Sequence, residues 1–146
     1  MREITSTLLF DTTGRLLFQQ RDDIAGITEP GKIGMFGGHK EDNETFLECI
    51  AREVSEEISI DVPVDRFQLL TVYEGIDLEI GGPIRAEFFV ARDIPIEQVR
   101  VTEGCLVVAT AENIPRLGQR LTAYARLALK AFGIDPGVAA GDPAAR

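Results

Sequence analysis

Apolar residues along the chain follow two kinds of spacing, which predict strands and helices in a mixed order. Short apolar runs bounded by Gly, Pro, Asp or Thr are typical of strands, and apolar positions three and four residues apart are typical of helices. Strands are predicted over residues 3–10, 15–20, 33–36, 67–73, 84–91 and 105–109. Helices are predicted from Thr45 through Ile58, as a short turn near 112–117, and over 121–132.

Turn residues between these segments indicate how the strands connect. Residues 11–14 form a turn that joins the first two strands into a hairpin, and residues 81–83 connect the fourth and fifth strands. Residues 21–32 are rich in Asp, Gly, Thr and Pro, which indicates a loop, and Gly37-Gly38 closes the third strand. Because strands outnumber helices and their order is mixed, we expect an α+β fold, in which a mixed central sheet is sandwiched between helices.

The end of the chain combines one amphipathic helix with a tail that lacks periodicity. Four side chains form the apolar face that we expect to pack on the sheet: Tyr124, Leu127, Ala128 and Ala131. The tail over residues 135–146 is rich in Gly, Pro and Ala, and we expect it to be flexible. We therefore expect a single domain over residues 1–134.

Composition and charge narrow the classes of function. The chain has 146 residues, of which 45% are hydrophobic and 27% charged, and this is a globular mixture for one domain. The net charge of -9 argues against binding a nucleic-acid polymer, which requires Lys and Arg to neutralise phosphates. No apolar run approaches the roughly 20 residues that span a bilayer, and there is no leader pattern, so we expect a cytoplasmic protein without a membrane partner. Cys49 and Cys105 match no metal-ligand spacing and are interpreted as buried free thiols.

The first helix carries a cluster of carboxylates on one face. With Glu53 at zero on a helical wheel of about 100° per residue, Glu56 lies about 60° to one side and Glu57 about 40° to the other. Carboxylates at these spacings repel one another, whereas hard divalent cations prefer such oxygen-rich clusters. By itself, this pattern is most often a solvated helix face. Gly37-Gly38 strengthens the metal interpretation because glycine allows the backbone to approach an ion or a phosphate closely.

The segment from Gly38 to Ile60 resembles the Nudix box, G-x5-E-x7-R-E-U-x-E-E-x-G-U, in which U is a bulky aliphatic residue. Eight of its nine specified positions match: Gly38, Glu44, Arg52, Glu53, Val54, Glu56, Glu57 and Ile60. Ser59 departs from the pattern, because the family has glycine there to make a left-handed turn after the helix. A serine in that conformation costs about 1 kcal/mol, unless the helix ends differently.

The resemblance implies a Nudix-like α/β/α sandwich and a metal-dependent hydrolase. It implies that Glu53, Glu56 and Glu57 bind Mg²⁺ or Mn²⁺, with the Gly37 carbonyl as a candidate further ligand. The ions would screen the charge of a diphosphate and acidify the attacking water. One carboxylate would be the general base, either Glu53 or Glu57 within the box, or Glu103 on a later loop.

For several other residues near the box, two alternative roles are open. The resemblance suggests that Arg52 and Glu44 orient the site by a charge-assisted hydrogen bond, while the alternative makes Arg52 a phosphate ligand. For His39, a surface or hydrogen-bonding role stands beside a contact with phosphate or a role in proton transfer. Arg21 is either a phosphate contact or an ordinary surface arginine. Gly38 offers close backbone approach to the substrate.

The box indicates the reaction but leaves the substrate open. Family substrates are nucleoside diphosphates joined to a second moiety. The compact chain favours a nucleoside triphosphate or a simple nucleotide derivative, and it lacks the proline about fifteen residues past the box that ADP-ribose-type members tend to have. The alternatives are a Nudix-fold binding or regulatory module without catalysis, and a structural domain with an acidic surface helix. By resemblance alone, we also expect a homodimer.

Overall fold

The computed structural model describes residues 1–138, which form seven strands and three α-helices. The strands are β1 (Arg2–Asp11), β2 (Leu16–Gln20), β3 (Ile33–Gly34), β4 (Phe36–His39), β5 (Gln68–Ile76), β6 (Pro83–Ile94) and β7 (Cys105–Ala109). The helices are α1 (Phe46–Ile58), α2 (Ile114–Leu117) and α3 (Ala123–Phe132). Short 3₁₀ turns occur at Val64–Arg66, Ile96–Gln98 and Gly118–Arg120. Most of the flexible-tail prediction, residues 139–146, lies outside the described part of the chain.

All seven strands belong to one mixed sheet, in which β1 is central. The order is β3-β2-β1-β6-β5, with β4 paired to β1 and β7 paired to β2. The β1–β6 pair is parallel, and the other pairs are antiparallel. The expected α+β fold with a mixed sheet is therefore confirmed.

The two faces of the sheet are covered by different helices. On one face, α3 packs over residues such as Leu8, Phe18 and Phe88. On the other face, Ile50 and Val54 of α1 belong to a second core with buried residues of β1, β2 and β6. Each helix thus buries one apolar stripe against the sheet, and the opposite face of α1 remains available for polar chemistry.

The predicted end of the third strand at Gly37-Gly38 was wrong, because both glycines lie inside β4. Gly37 is paired with Ser6 and Gly38 with Thr5 of β1. A Cβ atom on Gly37 would lie only 2.1 Å from the Thr5 carbonyl oxygen. The glycine therefore lets two strands approach closely, and it does not end a strand.

The last helix is also shifted from its prediction. It begins at Ala123, after Thr122, whose side chain accepts a hydrogen bond from the Ala125 amide. Ala131 is exposed and Leu127 only partly buried. The buried stripe consists of two pairs spaced four residues apart: Tyr124 with Ala128, and Ala125 with Leu129. It is rotated by roughly 80° about the helix axis from the predicted face.

The two free cysteines differ in their exposure. Cys49 is buried as predicted, but Cys105 is exposed at the start of β7, so the prediction for this thiol was wrong.

Within residues 1–138, no helix combines the length and the apolar character that crossing a bilayer requires.

Candidate active site

Helix α1 is fixed at its N-terminus by the predicted capping box. The Thr45 hydroxyl accepts a hydrogen bond from the Glu48 amide at 3.0 Å, and the Glu48 carboxylate accepts one from the Thr45 amide at 2.9 Å. These bonds satisfy amides that have no partner within the helix. The register of the helix is thereby set so that its carboxylates face away from the core.

Arg52 joins the loop before α1 to the acidic face of the helix. Its Nε and Nη2 atoms donate to the two carboxylate oxygens of Glu44 at 3.0 and 2.7 Å. Nη1 donates to Glu53 at 3.0 Å, and Nη2 also donates to the His39 carbonyl at 3.2 Å. The Arg52 hydrogen bonds hold the pKa of Glu44 at about 2. Because protein acceptors surround this guanidinium, the arrangement fits the orienting role of Arg52 better than phosphate binding.

Glu57 is a carboxylate in an unfavourable electrostatic environment. Burial raises its pKa to about 8, and the charges of Glu53, Glu103 and Glu56 add to the increase. A hydrogen bond of 2.8 Å from the Gly37 amide to Oε1 opposes the increase. One amide therefore offsets only part of the cost of placing this carboxylate among others.

Gly38 leaves space for the carboxylate of Glu53. A Cβ atom on Gly38 would lie 2.4 Å from Cδ of Glu53. The Glu53 side chain is only 17% exposed. Burial raises its pKa, and the charge and hydrogen bond of Arg52 offset only part of the increase. Glycine at position 38 therefore allows the Glu53 carboxylate to occupy its observed position.

The carboxylates of α1 fit a hard divalent cation in chemistry, since all of their donors are oxygens. Across residues 1–138, no three Asp, Glu, His or Cys side chains converge closely enough to hold an ion together. Instead, Glu53 is turned to Arg52 and Glu57 to Gly37, while Glu56 is 60% exposed. Mg²⁺ commonly uses only one or two protein carboxylates together with substrate phosphates, so the donor set is sufficient for that type of site.

A cleft of about 320 Å³ lies beside this cluster. Its lining includes Gln19, Arg21, Gly37, Gly38 and Glu103, and it also includes His39. Five of the predicted site residues thus line the cleft, and Glu57 contacts one of them through its hydrogen bond from the Gly37 amide. The cleft is where a substrate could reach the acidic face of α1.

Comparison with protein-family profiles identifies the family of this chain. The profile described as the NUDIX domain matches residues 2–107. This chain belongs to the Nudix family. It is a pyrophosphohydrolase of the Nudix type, and the matched range contains the whole box from Gly38 to Ile60 together with Glu103.

Solved structures have the same Nudix fold. The MutT Nudix hydrolase from Burkholderia pseudomallei is 26% identical, with a TM-score of 0.71 over 89% of this chain and 96% of that chain. The E. coli dihydroneopterin triphosphate pyrophosphohydrolase is 20% identical, with a TM-score of 0.68 over 89% and 93%. A bifunctional NMN adenylyltransferase/ADP ribose pyrophosphatase from Francisella tularensis, complexed with AMP and a Mn ion, is 16% identical, with a TM-score of 0.73 over 88% and 40%. No curated protein sequence gives a significant match.

The position at which the Nudix pattern is broken keeps the backbone shape that the family's glycine suits. Ser59 caps α1 with φ 63° and ψ 29°, which is the left-handed conformation. Its amide still bonds to the Ser55 carbonyl at 3.1 Å. The helix therefore ends as a glycine-terminated helix does, and the serine bears the steric cost of that conformation.

Sequence reasoning missed the acidic residues that form ion pairs with the basic side chains of this Nudix cleft. Arg21 donates to Glu79 at 3.0 Å, and the Glu79 side chain is only 7% exposed. Arg2 forms an ion pair with the buried Asp77 and donates to Nε2 of His39 at 3.0 Å. These partners lie 37 to 75 residues apart, so no local spacing could have indicated them.

Proposed function

We propose that this Nudix enzyme hydrolyses the diphosphate linkage of a nucleoside diphosphate joined to another moiety, such as a nucleoside triphosphate or a nucleotide derivative. Water attacks at phosphorus, and Mg²⁺ or Mn²⁺ is the cofactor. The observation that carries the proposal is the environment of Glu57. This carboxylate is held among Glu53, Glu56 and Glu103 with a pKa of about 8, a cluster that a divalent cation would stabilise.

Glu53, Glu56 and Glu57 are the residues proposed to hold the cation, with the Gly37 carbonyl as a candidate fourth ligand. When bound, the ion supplies charge neutralisation at the phosphoryl oxygens and acidifies the attacking water. Glu53 and Glu57 have hydrogen-bond partners in Arg52 and the Gly37 amide. Because no three carboxylates converge within residues 1–138, Glu53 and Glu57 must turn from these partners before the three side chains can share an ion.

Glu103 is the favoured general base, ahead of Glu53 and Glu57. The latter two carboxylates are proposed ligands, so their oxygens would be occupied when the cation is bound. Glu103 is exposed, borders the cleft, and its charge acts on Glu57. A base must lie within hydrogen-bond reach of the attacking water, and Glu103, as a lining residue, is accessible to a water in the cleft.

The remaining site residues are proposed to position groups or to contact substrate. Arg52 and Glu44 fix the loop before α1 against the helix. Arg21 is a phosphate contact only after a substrate phosphate has replaced Glu79 as its partner, because the two are paired at 3.0 Å. His39 accepts a hydrogen bond from Arg2, which favours a hydrogen-bonding role. Gly38 gives substrate close access to the backbone.

A small nucleotide is the proposed substrate class. The cleft of about 320 Å³ is within the range of small-molecule sites. The net charge of -9 opposes binding of a nucleic-acid polymer. The substrates in the names of the similar structures, dihydroneopterin triphosphate and ADP-ribose, are therefore suitable first members of a test panel beside ordinary nucleoside triphosphates.

The test is a hydrolysis assay with purified protein, the nucleotide panel, and Mg²⁺ or Mn²⁺, in which the released phosphate species are measured. Turnover is expected for the wild type with metal and should be lost in the Glu56→Gln, Glu57→Gln double variant. Glu112→Gln, an exposed change before α2, is the matched control and should retain full activity. Turnover that persists in the double variant or without metal contradicts the mechanism. Tight nucleotide binding without turnover would instead indicate a binding module.

A further inference from the structure

The loop over residues 100–104 is attached to α1 on one side. The Arg100 amide donates to the Ile58 carbonyl at 3.0 Å, and the Thr102 amide donates to the Glu57 carbonyl at 3.1 Å. These bonds use backbone atoms only, so they do not depend on the identity of any side chain. They connect the loop to the backbone of a proposed metal ligand.

The same loop is attached to β2 on the other side. The Gln19 side-chain amide donates to the Glu103 carbonyl at 2.7 Å. Gly104 has φ +67°, and a Cβ atom there would lie 2.2 Å from the Gln20 carbonyl oxygen. The backbone of Glu103 is therefore fixed between the end of α1 and the end of β2.

Ser59 adds a side-chain contact to this attachment. Its hydroxyl donates to the Arg100 carbonyl at 2.9 Å. The family's glycine could not make this bond. A non-glycine residue in the left-handed conformation is strained, so the serine lowers the stability of the backbone at this position. In return, its hydroxyl forms a bond to the loop that carries Glu103.

We propose that Ser59 is a positioning residue, whose hydroxyl holds the 100–104 loop so that Glu103 stays in the lining of the cleft, where its charge acts on Glu57. The inference rests on the proposed function, in which Glu103 is the general base. Ser59 itself lies outside the lining of the cleft. Its effect on hydrolysis is transmitted through Arg100 and the loop backbone, and small displacements of a base lower the rate of proton transfer.

The decisive variant is Ser59→Gly, because it separates stability from catalysis. It removes the hydroxyl and also relieves the left-handed strain, so the melting temperature should stay equal or rise. The kcat should fall about tenfold, as is typical when a partner that orients a catalytic group is lost, while KM should change less than twofold. Ser59→Ala should lose the same activity but with a lower melting temperature, because alanine keeps the strain.

A double variant tests whether the effect passes through Glu103. In a Glu103→Gln background, Ser59→Gly should reduce kcat by less than twofold further, since the group that it positions is already absent. Ser55→Ala, which removes a hydroxyl on the same helix that bonds to Asp61, should leave kcat unchanged. Wild-type kcat in Ser59→Gly, or a full tenfold loss that persists without Glu103, overturns the proposal.

Hydrogen exchange separates this inference from the proposed function. Amides of residues 100–104 should exchange several-fold faster in Ser59→Gly than in Ser55→Ala, because the loop has lost one attachment. Unchanged exchange overturns the positioning role even if the enzyme is active. If the wild type hydrolyses no diphosphate while the exchange difference is present, the proposed function fails and the loop attachment stands.

Discussion

Glu57 of α1 accepts a hydrogen bond of 2.8 Å from the amide of Gly37 in β4. This bond joins the acidic helix to the strand whose glycines border the cleft. It also leaves Glu57 with a pKa raised to about 8, because burial outweighs the stabilisation by one amide. The Gly37–Glu57 contact is therefore sensitive both to pH and to any positive charge that enters the cleft.

Stability in the absence of metal should depend on the protonation of Glu57. Its folded-state pKa of about 8 lies above the ordinary value of 4.5, so the folded protein binds a proton that the unfolded chain has lost. Stability from this group is present below about pH 4.5 and is lost as the pH rises towards 8. Melting temperatures of the metal-free protein between pH 5 and 8.5 should fall less steeply in Glu57→Gln than in the wild type. Equal slopes would contradict the raised pKa.

Metal binding near neutral pH should release protons. A carboxylate must be deprotonated to bind a cation, and Glu57 is largely protonated below pH 8. Calorimetric titration of Mn²⁺ at pH 7, repeated in buffers of different ionisation enthalpy, should give a release approaching one proton per site. The release should disappear in Glu57→Gln, and a wild type that releases none would rule out Glu57 as a ligand.

Alanine at the two adjacent glycines should give two different defects. Gly37→Ala places a Cβ atom 2.1 Å from the Thr5 carbonyl, so a backbone must move, and the free energy of unfolding should fall by about 3 kcal/mol. Gly38→Ala meets only the end of the Glu53 side chain, which can rotate away. This variant should fold with a smaller loss but bind metal weakly. Denaturant titration and metal titration of both variants check the contrast, which equal losses of stability would refute.

Arg52→Lys should lower kcat about tenfold although it keeps the charge. Lysine cannot reproduce the two parallel bonds to Glu44 together with the bond to Glu53. Steady-state kinetics measure the effect, with Arg116→Lys, an exposed change on α2, as the control. If lysine supports full kcat, the geometry of the guanidinium is not needed.

Glu79→Gln should strengthen substrate binding by releasing Arg21. The ion pair at 3.0 Å competes with a substrate phosphate for the guanidinium, so KM should fall a few-fold, which corresponds to about 1 kcal/mol. Arg21→Gln should raise KM. Glu74→Gln, which breaks a pair with Arg85 outside the cleft, should leave KM unchanged. An unaltered KM in both cleft variants would remove Arg21 from the substrate contacts.

The sequence predicted the parts of the site that depend on local spacing. Thr45 and Glu48 define the start of α1 within four residues, and the angles between Glu53 and Glu57 follow from helix geometry alone. The capping box and the acidic face could therefore be predicted without knowledge of the rest of the fold. The family resemblance then supplied the chemistry.

The contacts that sequence reasoning missed depend on strand pairing. Gly37 lies inside β4 only because β1 passes beside it, and Glu79 reaches Arg21 across 58 residues. The face of α3 was misjudged for a related reason, since the sheet surface beneath it selects which stripe is buried. These features come from long-range packing, which local periodicity does not encode.

The parallel pairing of β1 with β6 has a consequence for how the protein folds. Arg2 pairs with Ile84, so the parallel pair forms only when β1 meets a segment some 80 residues later in the chain. Closing such long loops slows folding. Since β4 and its glycines are aligned on β1, we expect the cleft to be completed late on the folding pathway, after the acidic helix has already formed.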